Sequence, residues 1–503
     1  MVKRGFFAAI AGLALIGGCS FAPPYQVPPS AVPATFKESG AWQQAQPADR
    51  VPHGAWWQVY RDPILNGLET RVAAANPDVA AALARHDEAV ACLDQARSGL
   101  FPTVGAYAQA SRARQSDNRP LRGATQPAVY NSATLDIGIN YDLDLWGRVR
   151  NHVAAGAAAM QASEDDLESL RLSLQASLAD AYFNLRGLDE QQQLLADTTE
   201  TYAHALTLTQ SRRKGGIASD LDVSRAQTQL ESARASAQDV AARRALYEHA
   251  IATLSGTPAS KFTLAPASGD SYLPSIPAGL PAALLQRRPD IAAAERRVAQ
   301  ANAQIGVAKA AFFPDISLGL DGGYQSDTFS PWLAAPNEMW SIGPSLLMTL
   351  FDGGRRAAMT REARAKLAEN GAKYKGTVLL AFQQVEDNLA QLHYLGDEAA
   401  MEDNALAAAK RTLDLSMSRY RDGAVSYLDV VTAQTTELQT QTVALTLRTR
   451  RLLASVGLIE ALGGGWSMNP PDAAAASPGA NSASVTPAAA SIKAQAHGHD
   501  AGA

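Results

Sequence analysis

Cysteine is nearly missing: the 503 residues contain two, Cys19 and Cys92, too few for a disulfide framework or a cysteine-built metal cluster. Cys92 falls in an alanine-rich helical run, where it is expected to be packed. Histidine is sparse, and His86, His152, His204, His249 and His393 stand singly on helical runs. His497-Gly498-His499-Asp500 groups possible ligands, but in a tail rich in Ala, Ser, Pro and Gly. There is no Walker loop, no His-Glu-x-x-His and no Gly-x-Ser-x-Gly elbow, so a catalytic role has no anchor. Basic runs are missing too, and with a net charge of -5 the chain offers nucleic acid no concentrated cationic face. Beyond the N-terminus no apolar run approaches the roughly 20 residues of a membrane-spanning helix. Proline is absent from 128 to 257 and again from 345 to 469, which leaves room for unusually long helices.

What is present begins with an export signal. Lys3 and Arg4 precede an apolar run over 6–16, and Leu15-Ile16-Gly17-Gly18-Cys19 places small residues before a cysteine. The arrangement resembles the lipobox of bacterial lipoproteins. That resemblance implies cleavage before Cys19 and a covalent lipid there, diacylglycerol on the thiol and an N-acyl chain on the new amino group. Ser20 stands where an Asp would resemble an inner-membrane retention signal, so the resemblance favours the outer membrane. At about 0.8 kcal/mol per buried CH2, several acyl chains make such anchoring effectively permanent. Pro23-Pro24-Tyr25 and Pro28-Pro29 predict an extended segment leading away from the anchor, without an assigned fold.

The chain then repeats itself. Arg212-Arg213-Lys214-Gly215-Gly216-Ile217-Ala218-Ser219-Asp220-Leu221-Asp222 returns without a gap as Arg419-Tyr420-Arg421-Asp422-Gly423-Ala424-Val425-Ser426-Tyr427-Leu428-Asp429. Each copy predicts a helix, a glycine reversal, and a second helix opened by Ser with Asp three residues on, the capping-box spacing. Pro77-Asp78-Val79 matches Pro289-Asp290-Ile291, Leu100-Phe101-Pro102 matches Phe312-Phe313-Pro314, and Gly147-Arg148 matches Gly354-Arg355. The chain is two tandem halves.

Within each half the hydrophobic period switches. Leu135, Ile137, Ile139, Tyr141, Leu143 and Leu145 alternate with Asp136, Gly138, Asn140, Asp142 and Asp144, a strand with one apolar and one wet face. Residues 104–112 supply a partner across a polar loop holding Pro120 and Pro127. Ile316, Leu318, Leu320 and Tyr324 mark a third strand; Trp340, Ile342, Leu346, Met348 and Leu350 mark a fourth, with Pro344 tolerable only at a bulge or edge. Strands of roughly ten residues with a polar second face match an outer-membrane barrel. Four strands cannot close one, so several chains must contribute. Leu167, Leu170, Leu174, Leu178, Ala181, Leu185 and Leu188, continuing to Leu195 and Tyr202, step by three and four and predict a coiled-coil seam on a helix over 148–213, roughly 100 Å long.

The tip acids have two interpretations. Asp222 and Asp429 sit at capping positions. Asp220, Asp222, Asp422 and Asp429, repeated around a symmetric oligomer, could form acidic rings that favour cations.

Trp56-Trp57 with Asp62-Pro63, Tyr141-Asp142-Leu143-Asp144-Leu145-Trp146-Gly147-Arg148-Val149, Arg287-Arg288-Pro289-Asp290-Ile291, Phe351-Asp352-Gly353-Gly354-Arg355 and Ala461-Leu462-Gly463-Gly464-Gly465-Trp466 together resemble the TolC-like outer membrane factors, in their lipoprotein, OprM/NodT-type branch. The resemblance covers about residues 19 to 466. It implies a mainly α fold with a transmembrane β-barrel portion: a homotrimer with a 12-stranded barrel continued by a long α-helical periplasmic tunnel. The implied role is the passive exit duct of a tripartite efflux system in the outer membrane, not an enzyme and without a cofactor beyond the lipid on Cys19. The implied partners are a periplasmic adaptor (membrane fusion protein) and an inner-membrane proton-driven pump. By the same resemblance Arg212, Gly215, Gly216, Ser219, Arg419, Gly423 and Ser426 lie at the periplasmic mouth, with Asp220, Asp422, Val425 and Asp429 as gate candidates. Some relatives carry an acid two residues past the second tip glycine, where this chain has Val425, and Asp422 is the substitute. The expected organisation is a signal peptide over 1–18, an anchored segment over 19–55, halves over 56–270 and 271–466, and a disordered tail over 467–503. A duct for type I protein secretion and a coiled-coil structural lipoprotein are the alternatives.

Overall fold

In the first half, Asp62 opens helix α1 (Pro63–Ala75) by accepting from the backbone N–H of Ile64 and Leu65. Asn76 then ends α1 and starts α2 (Pro77–Ser98), accepting from Asp78 and Val79 at 2.8 and 3.3 Å while its side-chain amide donates to the Leu254 carbonyl at 2.9 Å. One asparagine thereby caps a helix and ties it to a distant one. The computed structural model describes residues 20–30, 32–39, 54–118, 127–267, 269, 271–276, 287–328 and 330–465. The export signal, Cys19, Pro120, Trp466 and the His497–Asp500 motif lie outside these residues.

Two strands follow, β1 (Thr103–Arg114) and β2 (Val129–Asp142), then the helices α3 (Arg148–Lys214) and α4 (Asp220–Leu254). The second half repeats the order with α5 (Pro289–Ala310), β3 (Asp315–Ser326), β4 (Glu338–Leu347), α6 (Arg355–Arg421) and α7 (Tyr427–Ala461). The duplication holds to the residue: α3 and α6 each run 67 residues, α4 and α7 each 35. At about 1.5 Å per residue the long pair reach roughly 100 Å.

The strands form one antiparallel sheet in the order β1-β2-β3-β4. Its register lines up Val104, Ile139, Leu320 and Ile342 across all four strands, and beside them Ala106 with Ile137 and Leu318 with Pro344. The other face carries Asp136, Asn140, Asp142, Ser317, Asp321, Gln325 and Ser341, with Ser341 donating to Asp321 and Ser317 bonded to Ser345. The polar/apolar alternation of single strands thus becomes two continuous faces. Pro344 sits on β4, an edge strand of this chain, which gives its missing N–H a tolerable place.

The sheet stops earlier than the alternation implies. Leu143 and Leu145 lie beyond β2, and Met348 and Leu350 beyond β4. The adjoining aspartates explain this. Asp144 turns to accept from the N–H of Val149 and Arg150, and Asp352 from those of Gly354 and Arg356, so the chain is committed to opening α3 and α6. Gly147 and Gly354 complete the turn at φ of 73° and 92°.

Near the sheet α3 packs on α2 and α5; Gly156 lies against Leu93 and Asn151 against Gly306. Farther along it pairs with α4, and α6 pairs with α7. The predicted seam is real: Leu167, Leu178, Ala181, Leu185, Leu188, Leu195 and Tyr202 are buried, with Leu170 and Leu174 packed beside them. The main core gathers Trp56, Tyr60, Leu65, Tyr182, Phe183, Ile291, Val385 and Val456. Beside it Asp189 accepts from Arg186 and Arg244 at 2.8 and 2.6 Å, Arg244 also binds Glu248, and both Arg244 and Glu248 bond the backbone of Leu264. Buried charges survive because each is paired, and the network clamps the segment after α4.

One expectation is corrected. Cys92 is exposed rather than packed; the buried side chain of that turn is its neighbour Leu93. The segment after Cys19 runs extended from its start, as expected, and docks on the helices. Ser20 bonds Asn151, Phe21 stacks on Phe313 with centroids 4.4 Å apart, Asn302 holds the Pro23 carbonyl, and Tyr25 bonds Glu295. Phe36 enters the main core, and Glu386 accepts the N–H of Lys37 and Glu38. Aromatic side chains at 21, 25 and 36 give a prolines-and-polars segment enough apolar surface to dock.

Candidate gate at the hairpin tips

Arg212, Arg213 and Lys214 occupy the last turn of α3, where cations complement the helix dipole. The chain reverses through Gly215 and Gly216. Ile217 donates to the Arg212 carbonyl at 2.8 Å and Gly216 to that of Arg213 at 2.9 Å, the paired bonds of a Schellman ending. The second tip repeats both, Ala424 to Arg419 at 2.8 Å and Gly423 to Tyr420 at 3.0 Å. Gly216 and Gly423 share a φ of 76°. Gly215 does not need to be glycine, having a φ of -80°; Asp422 holds its place in the second copy at -76°.

The serines and acids behave as caps. Asp222 accepts from the backbone and hydroxyl of Ser219 at 3.1 and 2.7 Å, and Asp429 from those of Ser426 at 3.0 and 2.7 Å. Asp220 is paired with Arg213 at 2.5 Å, and Asp422 is exposed. Of the acids considered for a ring, then, Asp222 and Asp429 have a structural task and Asp220 a cation. Val425 is half-buried against an aromatic cluster of Tyr420 and Tyr427, whose rings lie 5.3 Å apart, with Ala226 and Val430. Burial pushes the Tyr427 hydroxyl up to about 12.

The structure also joins the two tips, which the motifs did not indicate. Arg212 donates from Nη1 to the carbonyls of Tyr420 and Arg421 at 2.9 and 3.3 Å, and its guanidinium carbon lies 4.7 Å from the centroid of the Tyr420 ring. Cation, ring and carbonyls at a helix C-terminus reinforce one another. The available signal was a difference between the copies: position 213 is Arg where its equivalent, 420, is Tyr. Arg419, equivalent to Arg212, is exposed. Ile217 and Leu221 on the first tip and Leu428 on the second are exposed, Ile217 by 71%, so both tips carry apolar side chains at the surface.

The family model described as "Outer membrane efflux protein" matches residues 70–257 and 280–464, once in each half. The toluene efflux pump outer membrane protein TtgC of Pseudomonas putida is 33% identical over 454 residues, covering 90% of this chain and 94% of that protein. Outer membrane protein OprJ of Pseudomonas aeruginosa is 31% identical over 474 residues, 93% of this chain and 97% of its own. Among solved structures, the outer-membrane channel OprN superimposes with a TM-score of 0.82 at 29% identity, covering 89% of this chain and all of the other. The open state of the Neisseria gonorrhoeae MtrE outer membrane channel gives 0.78 at 28% identity, over 89% and 98%. An amphipathic sheet continued by paired long helices is the architecture of these channels, and the chain belongs to the outer membrane efflux protein family.

Proposed function

We propose that this chain is the exit duct of a tripartite efflux system, acting as a homotrimer whose 12 strands close one barrel and whose helices line a periplasmic tunnel. The carrying observation is a four-stranded sheet with one apolar face and two unpaired edges, β1 and β4. In lipid each unpaired backbone group costs several kcal/mol, so the edges must meet those of other copies. The duct is passive. An inner-membrane proton-driven pump supplies the energy, and a periplasmic adaptor docks at the tips, where Ile217, Leu221 and Leu428 offer apolar contact beside the charges of Arg212, Arg419 and Asp422. Partners that bind a spread arrangement of tips better than a closed one would open the mouth. Lipid on Cys19 fixes the chain to the outer membrane.

The test is fractionation with a deletion strain. A heat-modifiable trimer in outer-membrane fractions, labelled by radioactive palmitate only while Cys19 is present, together with increased drug susceptibility on deletion, is the expected result. A monomer in the soluble fraction would overturn the assignment.

A further inference from the structure

The charges of the sheet are sorted by face. The register sets Val104, Ala106, Ala108 and Ala110 of β1 on the apolar face with Ile139, Leu320 and Ile342, and by the same alternation Arg112 and Arg114 follow them there. Among the strand residues of that face the charged ones are Arg112, Arg114 and Glu338, and all three lie at the hairpin ends, away from the helices. The charged residues of the other face are acids, Asp136, Asp142, Asp315 and Asp321. Cations that served a passing cargo would line the wet side, so Arg112 and Arg114 have another task.

Their depth says what they meet. Ten positions separate Val104 from Arg114 on β1. At about 3.4 Å per residue and a tilt of about 40°, these rise about 26 Å across the membrane, against an apolar band about 25 Å tall. Arg114 then stands at the rim of that band, and Arg112 about 5 Å below it, within reach of the rim through its own apolar stem. Both are exposed. Arg112 has no ion pair or side-chain hydrogen bond among the described residues, and Arg114 meets Asp117 across 3.8 Å with both side chains exposed, a contact that contributes little. Asn131, also exposed, is the cross-strand neighbour of Arg112 on the same face.

We propose that Arg112, Arg114 and Asn131 form a site on the outside of the barrel for the phosphorylated sugar headgroup of an outer-leaflet glycolipid. The proposal rests on the reading of the sheet as part of an outer-membrane barrel whose helices enter the periplasm, which turns the hairpin ends towards the outer leaflet. Charge complementarity selects the occupant. A planar guanidinium grips phosphate bidentately, two arginines at alternate positions lie about 7 Å apart, and the Asn131 amide both donates and accepts, as sugar hydroxyls require. Glu338 is the one acid among the strand residues of this face. It lies on the β4 edge, which in a closed barrel meets β1 of another copy, and one carboxylate does not neutralise two arginines. In sequence, 112–128 holds four arginines against the single acid Asp117, so the local balance stays cationic.

Native mass spectrometry of the detergent-purified full chain tests this, with bisphosphorylated lipid A and phosphatidylglycerol added separately at equal concentration and the heat-modifiable trimer band checking assembly. The wild-type trimer should retain lipid A in preference to phosphatidylglycerol. Retention should fall as salt rises from about 0.1 to about 1 M, which shortens the screening length from about 10 to about 3 Å. Arg112→Gln with Arg114→Gln should lower retention about tenfold or more, the loss expected when charge-assisted bonds to phosphate are removed. Arg112→Lys with Arg114→Lys should fall between, because the charge stays and the fork goes. Lipid A retained as well by the Gln pair as by the wild type overturns the site, and equal retention of phosphatidylglycerol overturns the glycolipid as its occupant. If the Gln pair and Glu338→Gln both weakened the trimer band while the remaining trimers kept their lipid, these residues would be a subunit contact and the site would fall. The duct reading stands in all three cases; a chain that forms no trimer overturns that reading as well.

Discussion

Glu69 lies on the inner side of α1 with none of its surface in water, and neither carboxylate oxygen has a hydrogen-bond donor. Burial raises its pKa from 4.5 to about 9, so the folded chain holds it neutral while an unfolded chain would ionise it above about pH 4.5. The sign follows: stability is fully present below about 4.5 and is lost as pH rises towards 9, by about 1.4 kcal/mol per unit within that window. Glu69→Gln should therefore match the wild type in thermal unfolding at pH 4 and exceed it increasingly from pH 6 to 8; parallel curves would show that Glu69 is solvated or paired. The tip glycines make a second comparison at this scale. Gly216 needs a left-handed φ of 76° and Gly215 does not, while a Cβ on either would meet nothing closer than 3.5 Å. Gly216→Ala should lose about 1 kcal/mol through strain alone, and Gly215→Ala should be neutral. Faster backbone amide exchange in the last turn of α3 for the first variant only is the measurement.

The helices carry the clearest legacy of the sequence. Their length and seam were readable because proline is absent and Leu167 to Tyr202 repeat at helical spacing, and α3 ends one residue from the expected 213. Both capping boxes were readable from Ser-x-x-Asp alone, because a cap is a local contact. The strand ends at Leu145 and Leu350 were misjudged, because alternation continues into residues that Asp144 and Asp352 draw into helix starts. The docked residues of 20–30 and 32–38, the Asp189 network and the Arg212 bridge were invisible for one reason: each joins residues far apart in the chain, Arg212 and Tyr420 by 208 positions, and no periodicity records such a pairing. Equal arms have a consequence of their own. Removing seven residues from both arms of the first hairpin, α3 and α4, would withdraw its tip by about 10 Å from the tip of α6 and α7. That deletion should abolish export while trimers still form. The same deletion made in both hairpins should keep the tips level and retain the contact between Arg212 and Tyr420, read by cross-linking cysteines placed at the two tips.

At the scale of the whole molecule, the sheet decides the environment and the helices follow from it. The apolar face that runs from Val104 through Ile139 and Leu320 to Ile342 is uncovered by this chain, with Ile342 62% and Trp340 76% exposed. In water such a face would be a large aggregation-prone patch; in a bilayer it is the lipid contact, and the opposite face with Asp136, Asp321 and Ser341 lines the wet interior. The register makes these assignments separable at adjacent positions. Ile342→Arg places a charge in hydrocarbon, at a cost of about 2–4 kcal/mol near the midplane, and in the proposed trimer each copy bears that cost. Ser341→Arg, one residue away, points to the water-filled side and costs little. The expected outcome is loss of heat-modifiable trimer from the outer membrane for Ile342→Arg. For Ser341→Arg, trimer yield should be normal while the channel's preference between cations and anions shifts towards anions. If both variants assembled equally well, Ile342 would not meet hydrocarbon; if Ser341→Arg alone failed to assemble, the two faces would be the other way round.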